Sequence, residues 1–356
     1  MILNKDRVVG YLEKALDQKD LETIKNRVVV FKDNVKSTRV DKKGFLNITS
    51  NGSGTVTMNN GYLMMELDQI LETQTLERTK YYIERLIKAI SMVKTGRVND
   101  INLNRWKEYD DIITDSLWIF SKRDNSGAHI ASYWGNFIPQ IPNQFLKRYT
   151  KKGEWVLDPF LGSGTTLIEC RRLGRNGIGV ELQRRIANAA EQLIGEEKNK
   201  FKVKTEVMTG DSTNLDFKKE IDKLGIKSVQ FLIMHPPYWD IIRFSNDRRD
   251  LSNAESVDKF LNMFGQVIDK TYPILDKGRY FAVVIGDKYS RGEWIPLSFK
   301  CIEEVSKRGY QLKSIIVKNF DETKGKMNQQ ELWRYRALVG GFYIFKHEYI
   351  LLFKKK

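Results

Sequence analysis

The sequence predicts an α/β protein: a doubly wound, mostly parallel sheet over residues 121–356, preceded by a mainly helical region over residues 1–120. Three observations predict it. First, the apolar run Trp155-Val156-Leu157 stops at Asp158-Pro159, turns through Gly162 and Gly164, and continues into a stretch with Leu167 and Ile168 inward and Glu169, Arg171 and Arg172 outward. Gly177-Ile178-Gly179-Val180 follows and ends on Glu181. A strand, a glycine turn, a helix and a strand ending in an acid make a nucleoside-binding half-unit, with the acid placed for ribose hydroxyls. Second, the apolar run Phe231 to Met234 breaks at Pro236-Pro237, at the carboxyl end of a strand, where open α/β sheets hold ligands. Third, residues 6–36 and 62–98 carry apolar residues at helical spacing (Val9, Leu12, Leu16; Ile83, Leu86, Ile87, Ile90).

Along the chain, the polar stretch from Lys42 to Gly61 contains a turn signal, Asn51-Gly52-Ser53-Gly54, and Gly54 to Met58 reads as one arm of a hairpin. Residues 62–98 form one long helix or two shorter ones. Their Arg78, Lys80, Arg85, Lys88, Lys94 and Arg97 make either a solvated face or one that lies along a nucleic-acid backbone. Trp106, Tyr109, Trp118 and Phe120 mark a change of character over 101–120. A short helix is expected at Phe145 to Tyr149, a basic helix over 184–195, and a turn at Thr209-Gly210-Asp211-Ser212. Residues 243–256, with Arg243, Arg248 and Arg249, read as a mobile loop that tracks phosphates, folds over a bound base, or is merely solvated. Phe260 to Ile274 reads as a helix, Gly278 to Gly286 as a buried strand, 295–309 as a helix and 313–317 as a strand. Lys318 to Ala337 reads as a polar, basic loop with Lys324, Lys326, Gln329, Gln330, Trp333, Arg334 and Arg336, of which Arg and Gln are base-reading residue types.

Lys and Arg total 60 against 45 Asp and Glu, a formal charge of +15 that fits a polyanionic partner or simply a lysine-rich protein. Two cysteines, Cys170 and Cys301, exclude a disulfide scaffold and a four-cysteine zinc site, and no metal site is read from the sequence. No apolar run is long enough for a membrane span. A soluble protein of a reducing, cytoplasmic compartment is expected.

The glycine turn is not a P-loop, since no Gly-Lys-Ser/Thr follows. Leu167 leaves the Gly-x-Gly-x-x-Gly pattern of nicotinamide and flavin folds incomplete. Asp158-Pro-Phe-Leu-Gly-Ser-Gly-Thr-Thr166 instead resembles the S-adenosylmethionine motif of DNA amino-methyltransferases, which act on N6 of adenine or N4 of cytosine. His235-Pro236-Pro237-Tyr238 resembles their catalytic motif, and Asn136-Phe137…Pro139 the segment they place just before the glycine motif.

The resemblance covers residues 121–356. It implies a Rossmann-like domain with a mostly parallel seven-stranded sheet whose last strand, from His347, inserts antiparallel. It implies a cofactor site of Asn136, Phe137, Pro139, Asp158, Pro159, Phe160, Gly162, Gly164, Thr165, Glu181 and Asp211. His235, Pro236, Pro237 and Tyr238 would form the catalytic set. There an acceptor holds the target amino group, the prolyl backbone presents a carbonyl, and Tyr238 stacks on a base flipped out of double-stranded DNA. The family has Asp, Asn or Ser where His235 stands. A neutral imidazole can accept one hydrogen bond, so His235 is a catalytic acceptor, a structural histidine or the mark of a lost activity.

The setting implied is prokaryotic or viral: restriction–modification with a partner endonuclease, phage defence or epigenetic marking. Related enzymes of this fold methylate RNA bases or a protein amide, and a catalytically inactive DNA-binding relative is the other alternative. With little chain between the motifs or after the last strand, target recognition falls to residues 1–120, helped by the basic segments at 243–256 and 318–337.

Overall fold

The computed structural model describes residues 1–36, 44–46, 54–130, 133, 135–320 and 330–356. Two compact units result: Met1–Arg97 with Ile101–Asp111, and Val98–Asp100 with Ile112–Lys356.

In the first unit β1 (Ile2–Asn4) leads directly into α1 (Lys5–Leu16), because the Asn4 side chain accepts from the Arg7 amide and caps the helix. Next come α2 (Leu21–Lys36), β2 (Thr55–Thr57), α3 (Asn60–Leu71) and α4 (Leu76–Ser91). The arm expected near Gly54 exists as β2, but it pairs antiparallel with β1 at the chain start, and Asn51-Gly52-Ser53 lies outside the described residues. Residues 62–98 resolve into two helices because Thr75 caps α4 by accepting from the Arg78 amide. Leu12, Val28, Phe31, Leu63, Leu67 and Leu86 are fully buried at the centre of the unit. Glu66 is buried beside them, held by Arg85 and Lys107.

The second unit runs β3 (Leu117–Trp118), α5 (Gln140–Tyr149), β4 (Trp155–Asp158), α6 (Thr165–Leu173), β5 (Asn176–Glu181), α7 (Arg184–Glu196), β6 (Thr205–Thr209), α8 (Phe217–Lys223) and β7 (Val229–Met234). It continues with α9 (Val257–Thr271), β8 (Leu275–Ile285), the hairpin β9 (Lys288–Ser290) and β10 (Glu293–Ile295), α10 (Leu297–Lys307), β11 (Tyr310–Asn319), α11 (Gln330–Gly340) and β12 (His347–Lys355). One sheet has the order β3-β11-β12-β8-β7-β4-β5-β6. β12 is antiparallel to both β8 and β11, and every other pairing in this sheet is parallel.

The sheet has eight strands where seven were expected. The additional strand is β3, two residues joined in parallel to Val317 and Lys318 at the sheet edge and anchored by buried Trp118. The centre shows why β7 and β8 read as continuous apolar runs. Phe231, Ile233, Ala282 and Val284 meet Ile141 and Phe145 of α5 on one face. Leu232, Phe281, Val283 and Ile285 meet Phe260, Phe264 and Val267 of α9 on the other. Both faces are buried, at about 1.5–3 kcal/mol of stabilisation for each large apolar side chain.

Two loop expectations need correction. The stretch 243–256 is a hydrogen-bonded knot rather than a mobile loop. Asp250 is buried and accepts from Ser245 Oγ (2.7 Å), the Ser252 amide (2.9 Å) and Ser252 Oγ (2.7 Å), while Asn253 Nδ2 donates to the carbonyls of Ser245 and Asp247. The span 318–337 is not all loop, since α11 begins at Gln330. Lys324, Lys326 and Gln329 lie outside the described residues. Among the described residues, no helix is long and apolar enough to cross a membrane.

Candidate active site

The strand order reverses at β4: the chain moves outward through β5 and β6, then returns to the other side of β4 with β7 and β8. Such a switch point opens a crevice beyond the carboxyl ends of the strands. A cavity of about 1000 Å³ lies there, lined from both halves of the sheet. Because β12 runs antiparallel, its first residues, His347 and Glu348, also reach this edge and line the cavity.

The first half of the cavity is the glycine turn. Gly162 has φ +54° and Gly164 φ +87°, a region that side-chain-bearing residues rarely adopt. A Cβ on Gly162 would sit 3.1 Å from the Tyr133 ring, so this glycine keeps the cavity wall thin. A Cβ on Gly164 would instead meet Ile194 at 2.9 Å, so that glycine lets the turn pack on α7. Glu181 ends β5 with Oε2 accepting from the Gly162 amide (3.1 Å) and Oε1 from the Gln183 amide (2.9 Å). Burial raises its pKa, and these amide bonds oppose the shift. Asp211 Oδ1 accepts from the amide and hydroxyl of Thr213 at 2.9 and 2.7 Å.

The segment before α5 is tied onto this turn. Asn136 Nδ2 donates to Ser163 Oγ (2.7 Å), and Thr165 Oγ1 donates to Asn136 Oδ1 (2.7 Å). Phe137 then lies against the His235 ring, with centroids 5.0 Å apart.

The second half is His235-Pro236-Pro237-Tyr238, directly after β7. His235 Nε2 is 2.9 Å from Tyr238 Oη, which donates to Glu348 Oε2 at 2.7 Å. Glu348 Oε1 pairs with Lys318 Nζ at 3.1 Å. Burial holds the His235 pKa at about 4, so the imidazole is neutral near pH 7, while burial and the Glu348 charge push the Tyr238 phenol up. The Tyr238 ring passes close over Gly286, where a Cβ would be 2.8 Å from it. Lys288 pairs with Asp240 and lies 4.4 Å from the Trp239 ring centre.

Of the residues predicted for the site, the cavity is lined by Asn136, Phe137, Pro159, Phe160, Gly162, Thr165, Glu181, Asp211 and all four of His235 to Tyr238. Pro139, Asp158 and Gly164 are not in its lining. Pro139 caps α5. Asp158 is buried beneath the turn, accepting from the Phe160 amide (3.0 Å) and Thr166 Oγ1 (2.5 Å), with its pKa pushed up to about 6 by burial. Asp158 thus supports the turn from behind. Among the basic residues, Arg249 lines the cavity but pairs with Asp247. Arg243 and Arg248 are exposed outside it, and Arg334 and Arg336 are exposed on α11. Sequence reasoning passed over Lys318 and Glu348, whose burial and pairing arise only once β11 and β12 lie in register. It also passed over Tyr133, stacked on Phe244 with centroids 6.4 Å apart.

The chain matches the N6/N4 family model described as DNA methylase over residues 14–192 and 229–356. The Type II methyltransferase M.MjaII of Methanocaldococcus jannaschii is 36% identical over 107 residues, covering 27% of this chain and 19% of that protein. The Type II methyltransferase M.HindIII of Haemophilus influenzae is 32% identical over 108 residues, covering 30% of this chain and 34% of that protein. These matches therefore span about a third or less of the curated relatives' own length. Among solved structures, TrmN from Thermus thermophilus matches with a TM-score of 0.40 at 14% identity, over 62% of this chain and 49% of that one.

Proposed function

This chain belongs to the N6/N4 DNA methylase family, and we propose that it transfers a methyl group from S-adenosylmethionine to an exocyclic amino group of a base flipped out of duplex DNA. One observation carries the reading. A single cavity is lined both by a nucleoside-binding half with a carboxylate at the end of its second strand and by an amino-binding half, His235 to Tyr238.

The donor set fits the cofactor. Each Glu181 oxygen takes one amide hydrogen bond and keeps lone pairs for two ribose hydroxyls. Asp211 Oδ2 is left for an adenine amino group, since only Oδ1 serves Thr213. Phe160 and Leu182 supply apolar walls, and Asn136 holds the turn closed beneath them. When bound, S-adenosylmethionine supplies an electrophilic methyl group on a sulfonium.

The remaining work belongs to the second half of the cavity. His235 and the carbonyl of Pro236 accept the two hydrogens of the target amino group, which turns the nitrogen lone pair toward the methyl group. The open face of Tyr238 stacks on the base. The apolar walls exclude water that would compete for the same groups.

Single-molecule sequencing of DNA from a strain expressing the protein, beside one expressing Tyr238→Ala, tests the reading. A mark in one sequence context, present only with the wild-type protein, is expected, and it reads out the base as well. Absence of any mark, together with transfer to RNA or protein by the purified enzyme, would overturn it in favour of another substrate of the same fold.

A further inference from the structure

An aspartate or asparagine at the head of the Pro-Pro-Tyr motif can always present an oxygen acceptor. A neutral histidine accepts through one nitrogen only, and which one depends on where its proton sits. His235 can therefore act as an acceptor toward the cavity only if something fixes its tautomer.

The surrounding hydrogen bonds do so. Lys318 and Glu348 face each other across the β11–β12 register, both largely buried, with Nζ and Oε1 3.1 Å apart. Paired with Lys318, Glu348 offers its second oxygen as an acceptor. The Tyr238 hydroxyl has a single proton and donates it to Glu348 at 2.7 Å. Its oxygen then only accepts from His235 Nε2 at 2.9 Å, so the imidazole proton must be on Nε2. Phe137 flanks the ring and limits its rotation. Among the described residues His235 makes its one hydrogen bond through Nε2, and it lines the cavity.

We propose that Lys318, Glu348 and Tyr238 form a relay that locks His235 as the Nε2–H tautomer and leaves Nδ1 as the hydrogen-bond acceptor for the target amino group. Glu348 and Lys318 are thus positioning residues, and the relay replaces the fixed acceptor that a carboxylate or amide would provide. The role rests on the transfer reading above.

The test is nitrogen NMR of the full-length protein labelled with 15N-histidine, paired with methyl-transfer kinetics and calorimetry of S-adenosylmethionine. The chain has three histidines, His129, His235 and His347, so assignment by substitution is direct. The wild type is expected to show His235 protonated on Nε2 only. In Glu348→Ala the freed phenol proton turns to Nε2, the tautomer flips to Nδ1–H, and kcat falls about 10- to 100-fold with cofactor affinity unchanged.

Because Glu348→Ala strands a buried lysine, the paired change Lys318→Met with Glu348→Gln serves as the second variant. Its amide oxygen still accepts from Tyr238, so the Nε2–H tautomer and most of the turnover should persist. A wild-type His235 protonated on Nδ1 would overturn the proposal. So would a Glu348→Ala protein that flips the tautomer without losing turnover, or loses turnover without flipping it. Failure of the transfer reading would be separable, because the wild type itself would then methylate no DNA whatever its tautomer, and the acceptor role would fall with it.

Discussion

Asp158 shows how a residue can matter to the site without reaching it. It is fully buried, and its pKa rises from 3.8 to about 6, chiefly through burial. A raised acid favours the fold fully below pH 3.8, where the group is protonated in both states, and loses that contribution as the pH climbs through 6. Above this window its charge costs about 3 kcal/mol relative to an unshifted aspartate. Asp158→Asn keeps an oxygen for the Phe160 amide and reverses the sense of the Thr166 bond. The variant should melt close to the wild type at pH 4 and several degrees above it at pH 8. Calorimetric melts at the two pH values check this, and a lower melting temperature at pH 8 would show that the buried charge is compensated by its two hydrogen bonds.

At the scale of elements, what was legible in the sequence was local. The unit β4, turn, α6 and β5 could be read because apolar runs, φ-permissive glycines and a terminal carboxylate all lie within one short stretch. The Lys318–Glu348 pair was not, because it depends on the register of β11 against β12. α11 was missed for a different reason: Leu332, Tyr335 and Val339 stand at helical spacing, but they are set among polar and basic residues whose composition reads as loop, and in the structure they are exposed. β3 is too short to carry a pattern. Asp250 turned an apparently polar loop into a packed one, a buried acid that composition cannot distinguish from a solvated one. The close approach of β8 to the catalytic turn gives an element-scale prediction. Gly286→Ala would push a methyl group into the Tyr238 ring, 2.8 Å from its nearest carbon. The clash should destabilise the protein by about 1–3 kcal/mol and lower kcat by shifting the hydroxyl off Glu348, while S-adenosylmethionine affinity measured by calorimetry stays unchanged. Equal losses in cofactor affinity would mean that the whole sheet edge had moved.

For the whole molecule, the question is which surface answers to the +15 charge. The second unit spends several of its cations internally: Arg175 on Asp100, Arg279 on Glu154, Lys318 on Glu348 and Arg249 on Asp247. In the first unit, Arg85 and Lys107 serve the buried Glu66, but Arg78 and Lys88 of α4 stay exposed, with Arg78 over the Tyr81 and Tyr82 rings. Exposed cations beside aromatic faces suit a nucleic-acid backbone, and we propose that α4 binds phosphates of the duplex. Arg78→Glu with Lys88→Glu should weaken duplex binding at low salt and flatten the dependence of log K on log salt by about 0.9 for each phosphate no longer neutralised. The circular-dichroism spectrum should be unchanged, since neither side chain is part of the buried core. Fluorescence anisotropy over a salt series makes the measurement. A wild-type slope in the double variant would take duplex binding off this face of α4, leaving other exposed cations such as Lys94, Arg97, Arg243, Arg248, Arg334 and Arg336 to carry it.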